Sequence, residues 1–298
     1  MTEPSSTEGF APFLGHRTWY RVTGALDGPK RPLVILHGGP GASHDYTDRM
    51  KLIASQGRAV VHYDQLGCGK STHLKDKGAD FWTVQLFLDE LDNLLKHLGI
   101  RDGHHVLGQS WGGMLGAEYA VTRPAGLKSL VISDSPASMA LWVQEANKLR
   151  DALPPEVQRT LTEHEAAGTT TSDAYMAATK VFYDRHVCRV PMPDCVQRSF
   201  ALMASQSTVY HTMNGPSEFH CIGSLRTWDI TPRLHEITTP TLLVSGRHDE
   251  ATPLIVGAIH ERIAGSRWVV FEESSHLPHV EEPEAFLDTV GAFLAEHD

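Results

Sequence analysis

The run His105-Val106-Leu107-Gly108-Gln109-Ser110-Trp111-Gly112-Gly113 decides how the rest of the chain is read. Its first three residues have the character of a short buried strand, and the pattern from Trp111 to Val121 is helical, so Ser110 stands at a strand-to-helix turn. Gly108 and Gly112 flank it in the spacing Gly-x-Ser-x-Gly. So sharp a turn needs small neighbours, because the serine itself must take up a strained backbone conformation. It lifts the hydroxyl above the sheet and sets a helix N-terminus behind it, where developing negative charge is favoured. Glycines needed only for packing round a turn serine would spell the same five letters. The position between strand and helix is what favours a nucleophile.

Around this turn the chain alternates short apolar runs with longer helical ones. Strand candidates are residues 17–23 (Arg-Thr-Trp-Tyr-Arg-Val-Thr), 33–36 (Leu-Val-Ile-Leu), 58–64, 105–107, 128–133, 241–245 and 268–272. The clearest helix is 81–98, with Leu86, Leu91, Leu94, Leu95 and Leu98 on one side, Asp89, Asp92 and Lys96 on the other, and Gly99 as its stop. Such alternation predicts an α/β protein whose mostly parallel sheet is flanked by helices. The rhythm breaks between about Met139 and Asp229, where the pattern is helical and interrupted by Pro154, Pro155, Pro191 and Pro193. Strand signals resume afterwards. The expectation is an α/β-hydrolase core formed by residues 1–136 and 230–298, with 137–229 inserted as a helical cap.

Composition narrows the classes of function. The 298 residues carry 26 Lys and Arg against 36 Asp and Glu, a formal charge of −10, which argues against a nucleic-acid or anionic-membrane partner. After a polar leader with no basic or apolar segment at the start, no apolar run reaches the length of a membrane span. The four cysteines (Cys68, Cys188, Cys195, Cys221) form no Cys-x-x-Cys pair, and the 18 histidines form no His-Glu-x-x-His cluster, so neither a metal nor another cofactor is expected. The expectation is a cytoplasmic protein with reduced thiols, acting on a small molecule or short peptide. Its oligomeric state is not legible.

A serine hydroxyl is a weak nucleophile and needs a base held by an acid. In this fold the chain order is Ser, then Asp or Glu, then His. The strand at 241–245 runs into Gly246-Arg247-His248-Asp249-Glu250, and the strand at 268–272 runs into Glu273-Ser274-Ser275-His276. Asp249 and His276 thus follow the carboxyl ends of strands, where open α/β sheets bind ligands. Asp134 is the rival acid, although Ser-Asp-Ser-Pro also suits a turn, and His279 is the rival base. The triad read from the sequence is Ser110, Asp249 and His276. His37-Gly38-Gly39-Pro40-Gly41 follows the strand at 33–36, and its glycines let the Gly39 N–H approach a reacting carbonyl oxygen. With the Trp111 N–H it would form an oxyanion hole.

With these residues placed, the chain resembles the peptidase branch of the α/β-hydrolases that contains the proline iminopeptidases, and within it the L-amino-acid amidase, or L-proline amide hydrolase, group. The matching runs are 37–41, Tyr-Asp-Gln-Leu-Gly-Cys-Gly-Lys-Ser (63–71), 108–113, Met-Asn-Gly-Pro-Ser-Glu-Phe (213–219), Gly-Arg-His-Asp-Glu-Ala-Thr-Pro (246–253) and Ser-Ser-His (274–276). The leader Ala-Pro-Phe-Leu-Gly-His-Arg-Thr-Trp-Tyr (11–20) inclines toward the amidases. The resemblance implies that acidic residues hold the substrate's free amino group, and Glu218 and Glu250 fall on the matching positions. An ammonium leaving water needs opposite charge and hydrogen bonds, which two carboxylates supply. Trp142, Tyr210, Phe219 and Trp228 are aromatics in or near the cap that could wall a pocket, although each would serve equally as core. The implied activity is hydrolysis of L-amino-acid amides such as L-prolinamide through an acyl-enzyme. The alternative is removal of N-terminal proline or another apolar residue from peptides.

Overall fold

The computed structural model describes residues 5–298. The opening residues 1–4, on which part of the leader reading rests, lie outside the described residues. Eight strands form one sheet in the order β1-β2-β4-β3-β5-β6-β7-β8. These are β1 (Ser6–Phe13), β2 (His16–Thr23), β3 (Leu33–Leu36), β4 (Val60–Tyr63), β5 (His104–Gln109), β6 (Leu127–Ser133), β7 (Thr241–Gly246) and β8 (Arg267–Phe271). β1, β2 and β4 pair antiparallel, and every pair from β4 to β8 is parallel. The chain moves outward from β3 to β4 and then crosses back to β5 on the other side of β3. That reversal opens a crevice at the carboxyl ends of β3 and β5, the place where such sheets bind ligands.

One strand departs from the sequence reading. The polar leader contains β1, which pairs with β2 through a two-residue turn at Leu14 (φ 48°) and Gly15 (φ 78°). Both angles are positive, as the tight hairpin turn requires. Most of β1 is exposed and it carries Pro12, so its alternation is weak; as an edge strand it tolerates a residue that cannot donate to a ladder.

Alternation within the parallel strands builds two cores. Val34, Leu36, Val106, Leu130 and Ile132 face α1 (Val84–His97) and α2 (Trp111–Val121). Leu33, Ile35, Leu107 and Val131 face a 3₁₀ segment (His44–Gln56) and the C-terminal helix, through Phe286, Val290 and Phe293. Helix α1 begins three residues later than the leucine pattern suggests because the Thr83 side chain accepts from the Leu86 N–H and caps it there.

Five helices lie between β6 and β7: α3 (Met139–Asp151), α4 (Pro155–Ala167), α5 (Asp173–His186), α6 (Asp194–Ser205) and α7 (Thr208–Met213). They share a small core of Ala146, Leu153, Leu161, Tyr175, Ala178, Phe182 and Phe219. Burying one such leucine or phenylalanine contributes about 1.5–3 kcal/mol, so this insertion holds its shape over the crevice. An isolated bridge between Ser138 and Asp229 closes its base. The chain continues with α8 (Pro253–His260), α9 (Pro278–Glu281) and α10 (Pro283–Ala295). Among the described residues no helix is long and apolar enough to cross a membrane.

Candidate active site

Ser110 sits between β5 and α2 at φ 56° and ψ −123°, a conformation unfavourable for any residue with a side chain. A Cβ on Gly108 would stand 2.0 Å from the Gly112 carbonyl oxygen, and one on Gly112 would stand 2.0 Å from that of Leu36. Side chains are excluded at both positions. The turn is further held by the Ser110 N–H donating to the Ser133 carbonyl at 2.9 Å and by Ser135 Oγ donating to the Ser110 carbonyl at 2.8 Å.

His276 follows β8, and its Nδ1–H donates to Asp249 Oδ1 at 2.7 Å. That bond fixes the tautomer and leaves Nε2 as the basic nitrogen. The Ala251 N–H donates to the same Asp249 oxygen at 2.9 Å, and Asp249 is buried. Burial opposes the imidazolium form of His276. The Asp249 charge and hydrogen bond, with the Glu218 charge, outweigh it and hold the imidazole above the ordinary histidine value. His279 does not join this group: its Nε2–H donates to the Tyr46 carbonyl at 3.0 Å, and burial pushes it down to about 4. Asp134 lies against Asp249, not against His276.

Ser110, His276, Gly39, Glu218 and Glu250 line one cavity of about 410 Å³, walled by Tyr183, Val187, Phe200 and Met203 of the inserted helices. A second hollow of about 270 Å³ shares Gly39, Ser110 and Glu218 and adds Trp111, Met139 and Trp142. Among the described residues, the N–H groups of Gly39 and Trp111 make no hydrogen bond. The Gly38 N–H donates to Tyr46 Oη at 2.6 Å, Tyr46 donates to Gln109 Oε1 at 2.6 Å, and Gln109 Nε2 donates to the His276 carbonyl at 2.9 Å. One chain of bonds therefore ties the glycine loop, the serine turn and the histidine loop. Gln65 makes a second tie, donating to the His37 carbonyl at 3.0 Å and accepting from Trp111 Nε1 at 2.8 Å. His37, which burial keeps neutral, accepts from the Gln65 N–H at 3.0 Å and donates from Nδ1 to the Gly38 carbonyl at 3.0 Å.

The electrostatics of the cavity are one-sided. Glu250 is fully buried, and neither carboxylate oxygen has a hydrogen-bond partner. Glu218 Oε1 accepts from Tyr210 Oη at 2.7 Å, while Trp142 Nε1 holds its backbone carbonyl at 2.8 Å. Burial, then the charges of Glu218 and Asp249, push Glu250 well above the usual carboxylate range. Burial also raises Glu218, against the Tyr210 bond and the His276 charge. Glu250 Oε1 stands 3.9 Å from His276 Nε2. Two acids, Glu250 buried and unpartnered and Glu218 half-buried, thus share one cavity with Ser110 and His276.

Comparison with known proteins identifies the family. A sequence profile described as alpha/beta hydrolase fold matches residues 31–283. The proline iminopeptidase of Clostridium botulinum is 38% identical over 98% of this chain and 99% of its own length. The chain belongs to the proline iminopeptidase family of α/β-hydrolases. Within that family the proline iminopeptidase of Saccharolobus solfataricus is 36% identical over 96% of this chain and 92% of its own. The crystal structure of the Mycobacterium smegmatis proline iminopeptidase superposes with a TM-score of 0.90 at 49% identity, covering 98% of each chain. That of VinJ gives 0.97 at 53% identity, over 99% of this chain and 100% of that one. The protein is thus a serine hydrolase of the proline iminopeptidase family, with a helical insertion above a mostly parallel sheet.

Of the aromatics singled out from the sequence, Trp142 lines the second hollow, its ring 6.1 Å from that of His276, and Tyr210 bonds to Glu218. Phe219 is buried among the inserted helices, and Trp228 donates to Glu118 at 2.8 Å away from the cavity. Tyr46, Gln65, Gln109 and Tyr183 were not anticipated. Tyr46 lies in a 3₁₀ segment with no strand or helix period, and Gln109 occupies the variable place of Gly-x-Ser-x-Gly.

Proposed function

We propose that the protein removes an N-terminal residue, proline or another apolar one, from short peptides through an acyl-enzyme. Ser110 loses its proton to His276 Nε2 and attacks the carbonyl that follows the free amine. Asp249 orients the imidazole and stabilises its charged form, and the N–H groups of Gly39 and Trp111 receive the oxyanion. His276 then protonates the departing amine, and water resolves the ester. Glu218 and Glu250 anchor the substrate ammonium. No step calls for a metal or cofactor.

The observation that carries this reading is Glu250: a fully buried carboxylate, with both oxygens unpartnered, in the cavity that Ser110 and His276 line. A substrate ammonium supplies its missing partner, whereas an acylated amine offers it none. The relatives named proline iminopeptidases put the peptide reading first. Hydrolysis of L-amino-acid amides such as L-prolinamide is the second reading, supported by the absence of Lys or Arg among the described residues lining either hollow. A neutral leaving group suits such walls better than one ending in a nearby carboxylate. Initial rates on prolinamide, a Pro-Xaa dipeptide, a longer prolyl peptide and its N-acetylated form test both. Faster turnover of the peptides than of the amide supports the iminopeptidase reading, and faster ammonia release supports the amidase one. Cleavage of the N-acetylated peptide at a comparable rate would sink both.

A further inference from the structure

Asp134 follows β6 directly, and no step of the mechanism above uses it. Its side chain is fully buried, and its backbone stands at φ 52°, a left-handed conformation that a non-glycine residue keeps only where its surroundings over-determine it. Three contacts hold it there: its own N–H donates to the Val244 carbonyl at 2.8 Å, the Gly246 N–H donates to its Oδ1 at 3.1 Å, and Ser133 Oγ lies 2.5 Å from its Oδ2. The carboxyl also lies beside that of Asp249.

Asp249 spends Oδ1 on both His276 Nδ1–H and the Ala251 N–H. Its Oδ2 is buried and receives no N–H, and no hydroxyl of serine, threonine or tyrosine, among the described residues. Two buried carboxyls side by side cannot both be ionised, so one proton resides on the pair. Asp249 faces the imidazole whose cation it stabilises. Asp134 takes the Ser133 hydroxyl and the Gly246 amide and lies beside the negative Asp249, so the proton belongs on Asp134. Burial, reinforced by the Asp249 charge, acts in the same direction.

We propose that Asp134 is a positioning residue of the active site: as the neutral acid it donates a hydrogen bond to Asp249 Oδ2 and fixes the carboxylate that orients His276. The proposal rests on Asp249 being the acid of the triad. Asparagine at position 134 reproduces the pattern, its carbonyl accepting from Gly246 and its amide donating to Asp249 and to the Ser133 hydroxyl. Alanine cannot.

The test compares kcat, KM and the acid limb of the pH profile on a prolyl peptide for Asp134→Asn, Asp134→Ala and Asp249→Asn. We expect Asp134→Asn to stay within about threefold of wild type in kcat, with the acid limb unmoved. Asp134→Ala should lose about 10- to 100-fold in kcat with little change in KM, because the buried Asp249 charge loses a donor. Its acid limb should rise, since an unrestrained Asp249 holds the imidazolium more strongly. Loss in Asp134→Asn equal to that in Asp134→Ala, or full activity in both, overturns the proposal. If the alanine variant does not fold, infrared difference spectra of wild type against Asp134→Asn decide. A neutral-acid carbonyl band lost in the variant supports the proposal, and a lost carboxylate band refutes it. Undiminished turnover in Asp249→Asn would instead refute the triad assignment, separately from the role of Asp134.

Discussion

Replacing Glu250 by Gln keeps the shape of the side chain and removes the charge it can take up beside a bound ammonium. Glu250 is fully buried, has no hydrogen-bond partner, and is raised well above the usual carboxylate range by burial and by Glu218 and Asp249. A unit charge 4 Å away at an effective dielectric near 20 is worth about 4 kcal/mol, and a hydrogen bond to a charged group about 1.5–3 kcal/mol. Because Glu218 can still pair with the ammonium, a net loss of about 2–4 kcal/mol is expected, which is roughly a 30- to 700-fold fall in kcat/KM for prolyl substrates. Hydrolysis of an ester of similar shape without an amine should change far less, and the ratio of the two is the quantity to read. Stability should move the other way. A carboxyl whose folded pKa is raised above its unfolded value of about 4.3 costs nothing below that pH and destabilises increasingly as pH rises toward the folded value. Glu250→Gln should therefore raise Tm at pH 7 and leave it nearly unchanged at pH 4. Equal loss on amine and amine-free substrates, or a lower Tm at pH 7, would refute the reasoning.

Four further outcomes follow from the same geometry. Asp249→Asn should lower kcat by about four orders of magnitude while circular dichroism shows an intact fold; near-normal turnover would remove Asp249 from the site. Because the folded pKa of His276 is raised, the acid limb of kcat/KM on the amine-free ester should lie above about 6.5. The contribution of the His276–Asp249 pair to stability should be complete below that pH and fade as pH climbs through the folded value, and a limb below 6 would contradict it. Tyr46→Phe breaks the chain from Gly38 to Gln109 and leaves a buried N–H unpaired, which costs about 1–3 kcal/mol; a tenfold or greater fall in kcat is expected, and unchanged kinetics would show that the chain positions nothing. Gly112→Ala places a Cβ 2.0 Å from the Leu36 carbonyl and should yield little folded protein by thermal melting, whereas a wild-type melt would mean the turn is looser than it stands here.

The elements that place the site were legible because each leaves a strong local signature. Apolar runs marked the parallel strands, and glycines on either side of Ser110 marked a turn that the structure shows can hold no side chain at Gly108 or Gly112. β1 was not legible: an exposed edge strand with Pro12 takes its register from the hairpin and β2 rather than from alternation. Asp249 and His276 could be picked out because they follow strands, and Glu218 and Glu250 only through the family resemblance. The bonds that tie their loops together could not, since Tyr46, Gln65 and Gln109 meet across separations such as 63 residues between Tyr46 and Gln109. Asp134 was visible as an acid after a strand and a rival of Asp249. Only the packed sheet brings the two carboxyls side by side.

Ser110, as the proposed nucleophile, would act beside a bound free amine. Mass-spectrometric mapping of a fluorophosphonate adduct, with and without saturating L-prolinamide, tests it most directly. A single adduct is expected on the peptide containing Ser110, slowed by L-prolinamide, not slowed by N-acetyl-L-prolinamide, and absent in Ser110→Ala. An adduct on another serine, or labelling that persists in Ser110→Ala, would contradict it.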